Sequence, residues 1–179
     1  MALGATLYSI DIDLADADRQ VYDSLALRVA RHPSESEEYL IARVIAYALE
    51  FAEGIAFSPG GLSDPDEPAI AVRDLTGALR SWIDVGSPDA ARLHKASKAS
   101  PRVAVYTHKS VERLRETLAG AKIHRADALE LYAIDRGLIA ALAARLDRRM
   151  AFTLSVADHE LFVAIGAETL HGAAPRVPL

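Results

Sequence analysis

Leu79-Arg80-Ser81-Trp82-Ile83-Asp84-Val85-Gly86-Ser87-Pro88 decides the fold, because it runs a strand into a helix and sets a carboxylate near the joint. Leu79 to Val85 is mostly apolar, which predicts a strand. Gly86-Ser87-Pro88 stops it, with Ser87 placed as N-cap and Pro88 at the first helical position. The helix that follows carries Arg92, Lys95 and Lys98 at spacings of three, hence near one face, and Pro101 ends it. Upstream, Ala69 to Arg73 forms a hairpin with Leu79 to Val85 around Asp74-Leu75-Thr76-Gly77. The loop from Ser63, reading Asp64-Pro65-Asp66-Glu67-Pro68, offers carboxylates just before that hairpin. Alternation puts Asp84 on the same face as Trp82. Burying a carboxylate there is costly unless a cation, a metal or a full set of hydrogen bonds receives it.

Outward from this stretch, strands and helices alternate. Ala5 to Leu14 alternates apolar and polar residues, and Val21 to Arg31 does so less cleanly, with a helix as the competing reading; together they predict an N-terminal hairpin. His32-Pro33-Ser34-Glu35 announces a helix to about Ala52, with Ser34 as N-cap, Glu37 at capping-box spacing and a buried stripe at Ile41, Val44, Ile45, Ala48, Leu49 and Ala52. Glu53 to Pro68, including Pro59-Gly60-Gly61, reads as a long turn region. Strands follow at Val103–Tyr106 and Leu129–Ile134, helices at Ser110–Leu118 and Arg136–Arg145, and a C-terminal hairpin at Met150–Val156 and Glu160–Ile165. The expected architecture is an α/β fold, one mixed sheet flanked by helices with hairpins at both ends. Residues 1–170 are expected to form one domain, and 171–179 a frayed, Pro-containing tail.

Composition narrows the function classes. The chain has 179 residues, of which 51% are hydrophobic and 25% charged, enough for one well-formed core. It has no cysteine, which excludes disulfides, thiolate-ligated zinc and thiolate catalysis. No secretory pattern is read in residues 1–15, and no apolar run is long enough to span a bilayer, so a cytoplasmic protein with no membrane partner is expected. A formal net charge of −5 argues against coating nucleic acid by bulk electrostatics, though not against a local basic site. The six histidines show no i,i+3 or i,i+4 pair, and neither a Gly-rich phosphate loop nor a nucleophile elbow is present.

Two carboxylates from neighbouring segments with a lysine close behind are the minimum set for holding a divalent metal against a phosphodiester. Asp66, Asp84 and Lys95 are that set here. Each also has a structural reading. Asp84 reaches solvent or bonds the backbone at the strand end. Asp66 and Glu67 are solvated turn formers. Arg92, Lys95 and Lys98 form a solvated basic stripe. Glu35 and Glu38 share a helix face, Glu35 reading as a capping residue and Glu38 as a surface residue.

His32-Pro33-Ser34-Glu35, Asp66-Glu67-Pro68, and Trp82-Ile83-Asp84-Val85-Gly86 followed by Pro88, Arg92 and Lys95-Ala96 resemble the signature blocks of the YaeQ family of bacterial proteins. Met1-Ala2-Leu3 with Ala5-Thr6 fits as well, and the resemblance spans nearly the whole chain. It implies a compact variant of the PD-(D/E)XK (restriction endonuclease-like) fold and a metal-dependent phosphodiesterase. Asp66 and Asp84 would then hold Mg2+ or Mn2+ with Glu38, or less readily Glu35, as the helix carboxylate. Lys95 would act on the reacting phosphate, and Arg92 and Lys98 would contact the nucleic acid. One departure stands out: the superfamily lysine two positions after the second carboxylate is Gly86 here, so Lys95 must substitute for it. The resemblance equally admits a non-catalytic regulator, transcription-linked, that binds nucleic acid or protein on a degenerate nuclease scaffold.

Overall fold

A computed structural model describes residues 4–59 and 64–179; Met1-Ala2-Leu3, Gly60-Gly61 and Ser63, singled out above, lie outside them. In chain order the elements are β1 (Thr6–Asp16), β2 (Val21–Arg31), α1 (Glu37–Leu49), β3 (Ile55–Phe57), β4 (Ile70–Arg73), β5 (Leu79–Val85), α2 (Ala90–Ala99), β6 (Arg102–Thr107), α3 (Val111–Leu118), β7 (Glu130–Ala133), α4 (Arg136–Ala143), β8 (Arg149–Ala157), β9 (Glu160–Ile165), β10 (Glu168–Ala173) and β11 (Arg176–Val177).

The strands make two mixed sheets, where the sequence predicts one. The first is ordered β10-β9-β8-β1-β2, the second β11-β7-β6-β5-β4-β3. The terminal hairpins are therefore not appendages of a central sheet. β8 lies parallel beside β1, Ile10 opposite Met150, and the two hairpins fuse into a sheet of their own. Period-two alternation gives that sheet one apolar face, with Ile10, Ile12 and Leu14 buried and Asp11 and Asp13 exposed.

Between the sheets runs α1, which packs on β1 and β2 on one side and on β5 and β6 on the other. That explains why Leu40 through Ala46 are all buried, beyond the single stripe the periodicity predicts. A helix covered on two sides is apolar nearly all round. α4 shares this inner core through Leu138, Ile139 and Leu142. A second, smaller core lies on the other face of the second sheet, where Trp82, Val103, Val105 and Leu131 meet Leu93 of α2 and Leu114 of α3.

Helix starts differ from those predicted. Ser36, not Ser34, caps α1 by accepting from the Tyr39 N–H at 3.1 Å, while the Ser34 hydroxyl pairs with His32 Nδ1 at 2.7 Å. Asp89, not Ser87, caps α2, accepting from the Arg92 N–H at 2.8 Å. In both places a competent acceptor sits two residues downstream, so the helix begins there.

The C-terminal segment does not fray. His171 to Ala173 belong to β10, and Arg176 and Val177 pair with Tyr132 and Leu131. Gly172 lets β10 approach α4 closely: a Cβ there would lie 2.8 Å from Leu138 Cβ. Among the described residues no helix is long and apolar enough to cross a membrane.

Candidate functional site

β5 and β6 run parallel, with Asp84 opposite Val105, so Asp84 sits near the C-terminal edge of the second sheet. This edge, where strands feed helices, is where open α/β sheets bind ligands. Asp84 is 2% exposed. The Arg92 guanidinium takes both of its oxygens, Nε to Oδ2 and Nη2 to Oδ1, each at 2.8 Å. The same Nη2 donates to the Glu67 carbonyl at 2.8 Å, and Nη1 donates to the Asp64 carbonyl at 3.3 Å. Below, Arg92 stacks on Trp82 with its central carbon 5.5 Å from the ring centroid. Burial opposes the charge on Arg92, yet the hydrogen bonds and field of Asp84 outweigh it and raise the guanidinium pKa. One side chain thus neutralises a buried carboxylate and pins the acidic loop to the sheet.

One turn along α2, Lys95 forms an ion pair with Asp66. Both side chains are open to water, Lys95 at 51% and Asp66 at 69%, so this pair is weak and easily rearranged. Lys98 is exposed. The fold therefore does bring the acidic loop, the strand carboxylate and the basic helix face together, but it couples each carboxylate to its own cation.

The two helix glutamates separate. Glu35 is not a cap. Its side chain is fully buried and receives the Arg43 fork at 2.8 and 3.0 Å, with the His32 N–H at 3.1 Å. Arg43 also donates to the Ala30 carbonyl at 2.8 Å, so this pair braces the end of β2 against α1. Burial, partly offset by Arg43, raises the Glu35 pKa. Glu38 is half-buried on the first turn of α1, and its charge acts on His108.

His108 follows β6 directly and is 1% exposed, and neither ring nitrogen has a partner. Burial, reinforced by Lys109, lowers its pKa to about 4. Gly86 explains the missing lysine. Its φ of +89° is a left-handed conformation that disfavours side chains, and a Cβ would meet the Tyr39 ring at 3.2 Å. The position two residues beyond Asp84 is a turn beneath α1, closed to any long side chain.

The donor set for Mg2+ or Mn2+ fits poorly in this arrangement. Both oxygens of Asp84 accept from Arg92, Oδ1 also accepts from the Ala69 N–H at 3.4 Å, and Asp66 faces Lys95. Among the described residues no three His, Asp or Glu side chains converge as a metal-holding group.

A second charged cluster escapes sequence reading. Arg102 forks onto Glu50 at 2.7 and 2.9 Å and onto Glu130 at 3.1 and 2.7 Å. The Tyr106 hydroxyl donates to Glu50 at 2.6 Å, and the Tyr132 hydroxyl donates to Glu130 at 2.9 Å. Glu50 and Arg102 lie 52 positions apart, and no local pattern links them. His108 and the Glu35–Arg43 pair carried a fainter signal: a histidine right after an apolar strand, and an arginine within a buried helical run.

Such a molecule is a two-sheet mixed α/β protein with an internally neutralised carboxylate at a strand-end edge. A family model described as YaeQ protein matches residues 1–173, and the chain belongs to the YaeQ family. It is 31% identical over 165 residues to the uncharacterized protein YaeQ of Salmonella typhi, covering 92% of this chain and 91% of that one. The Escherichia coli K12 protein of the same description is 30% identical over the same shares. Two crystal structures share the fold. The YaeQ protein from Pseudomonas syringae has a TM-score of 0.86 and 29% identity, with 97% of this chain and 96% of that chain covered. The YaeQ protein from Xanthomonas axonopodis pv. citri has a TM-score of 0.85 and 31% identity, with 97% and 99% covered.

Proposed function

We propose that this chain is a non-catalytic binding protein, a nuclease-like scaffold whose metal position is held by built-in cations, and that its partner is a protein. The observation that carries this reading is the Arg92 fork on the buried Asp84 carboxylate. A metal ion at Asp84 would have to displace the guanidinium and strand it beside the Asp64 and Glu67 carbonyls, so Arg92 competes directly with any cation for the carboxylate. Nucleic acid is disfavoured on the same grounds. Arg92 and Lys95 already face carboxylates, the chain carries a net charge of −5, and little positive potential is left to release counterions from phosphate.

Calorimetric titration of the full chain with Mn2+, paired with cleavage assays on single- and double-stranded DNA and RNA, tests the reading. We expect no saturable Mn2+ binding below about 1 mM, no cleavage, and no retention of a labelled oligonucleotide at physiological salt. Saturable binding lost in both Asp66→Ala and Asp84→Ala, together with metal-dependent cleavage, would overturn it in favour of a metal-dependent phosphodiesterase. That second reading draws on one feature, the Lys95 ammonium facing Asp66 beside Asp84.

A further inference from the structure

At the opposite end of α1 from Asp84, about 20 Å away along a thirteen-residue helix, a cavity of about 360 Å³ opens between the two sheets. That volume lies in the range of small-molecule sites. Its apolar walls come from both layers: Leu49 closes α1, while Val156 and Leu161 belong to the hairpin β8–β9. Tyr106 and Tyr132 line it as a stacked pair, ring centroids 4.6 Å apart and planes 9° from parallel. A flat apolar body suits such a wall.

The charges around the cavity do not balance. Arg102 is one positive charge bonded to two carboxylates, Glu50 and Glu130. Burial opposes the charge on Arg102, and the hydrogen bonds to both glutamates override it and raise the guanidinium pKa. Arg19 and Asp16 cancel one another at 2.7 Å, and Arg19 also donates to the Phe51 and Ala48 carbonyls at 3.1 Å each. Asp18 accepts from the N–H groups of Asp158 and His159 at 2.7 and 2.9 Å, and these bonds, with a smaller contribution from the His159 ring, lower its pKa. Glu50 Oε2 accepts a single hydrogen bond, which leaves an acceptor site free. Among the lining residues three carboxylates, Asp16, Asp18 and Glu50, meet two guanidiniums, Arg19 and Arg102, while Glu130, outside the cavity, also feels Arg176; the excess negative charge is carried by Glu50 and Asp18.

We propose that this cavity binds a small organic cation with a flat apolar body, its ammonium-type head against Glu50 and Asp18 and its body on the Tyr106–Tyr132 stack. An inorganic cation would satisfy the charge but leave the apolar walls without a partner. An anion of the same shape would meet the excess carboxylates. The site is independent of the Asp84 clasp and of the function proposed for it.

Titrating 15N-labelled full chain with tryptamine, and separately with indole-3-acetate, a similar body with reversed charge, provides the test. We expect saturable tryptamine-induced shifts at the amides of Val156, His159, Leu161 and Ala174, with Gly86 and Asp84 unmoved, and affinity at least about tenfold above that of indole-3-acetate. Glu50→Gln should weaken tryptamine several-fold. Should that variant fail to fold, Asp18→Asn, a change at an exposed turn, carries the same expectation. Absence of saturable shifts, equal affinity for the two compounds, shifts at Gly86 instead, or unchanged tryptamine affinity in the folded variants would each overturn the proposal.

Discussion

Arg92 and Arg102 each grip a carboxylate with both prongs of the guanidinium, yet the two ends of the molecule they occupy differ in charge and in room. Arg92 meets one carboxylate, two backbone carbonyls and the face of Trp82, over a carboxylate only 3% exposed. Arg102 meets two carboxylates and borders an open cavity walled by tyrosines. A balanced arginine over a buried carboxylate is a structural clasp. An outnumbered arginine beside a cavity leaves charge and surface for something else to satisfy. The distinction rests on counting partners and space, since the two residues look alike by type.

The largest effect should come from breaking the closed end. Arg92→Ala leaves Asp84 buried and unpaired and is expected to cost about 3–5 kcal/mol in urea unfolding, whereas Asp84→Leu combined with Arg92→Leu should recover most of that loss. Arg102→Ala should cost less than Arg92→Ala, because Glu50 and Glu130 are more exposed than Asp84 and each keeps a tyrosine hydroxyl donor. Equal losses would erase the contrast between the two ends.

Acid should come next, also at the Asp84 end. His108 has its pKa lowered to about 4, so the unfolded chain binds its proton first as pH falls below the ordinary histidine value. Stability should be full above about pH 6.5 and fall by on the order of 2–3 kcal/mol as pH drops towards 4, and His108→Leu should flatten that part of the profile. Unfolding free energies measured across this window decide it.

The smallest effect is expected at Lys95→Ala. The exposed pair with Asp66 contributes about 0–1 kcal/mol, and its loss should vanish in raised salt. A loss comparable with that of Arg92→Ala would mean that the loop is held by Lys95 rather than by Arg92.

Much of the site was legible locally. The strand into Asp84, the acidic loop, and Arg92 and Lys95 one turn apart were all placed by period and punctuation. What the local pattern missed was who pairs with whom. Arg92 was read as a phosphate contact, yet it lies eight residues from Asp84 and is folded back onto it by the turn at Gly86. Glu35 was read as a cap and proved to be a buried partner of Arg43, because the true cap, Ser36, starts the helix later. The C-terminal strands were unreadable for another reason: Glu168 to Ala173 has no clean alternation, and it becomes a strand only by pairing with β9 and resting Gly172 on Leu138.

By itself the sequence determined the kind and order of most elements, since hydrophobic period, capping acceptors and turn residues act over a few neighbours. It also determined the absence of thiol chemistry. Only the tertiary structure decided that the strands divide into two sheets with α1 between them, and which cation answers each carboxylate. Pairing energies depend on distance, burial and the number of competing partners, and those quantities exist only once segments far apart in the chain have been brought together.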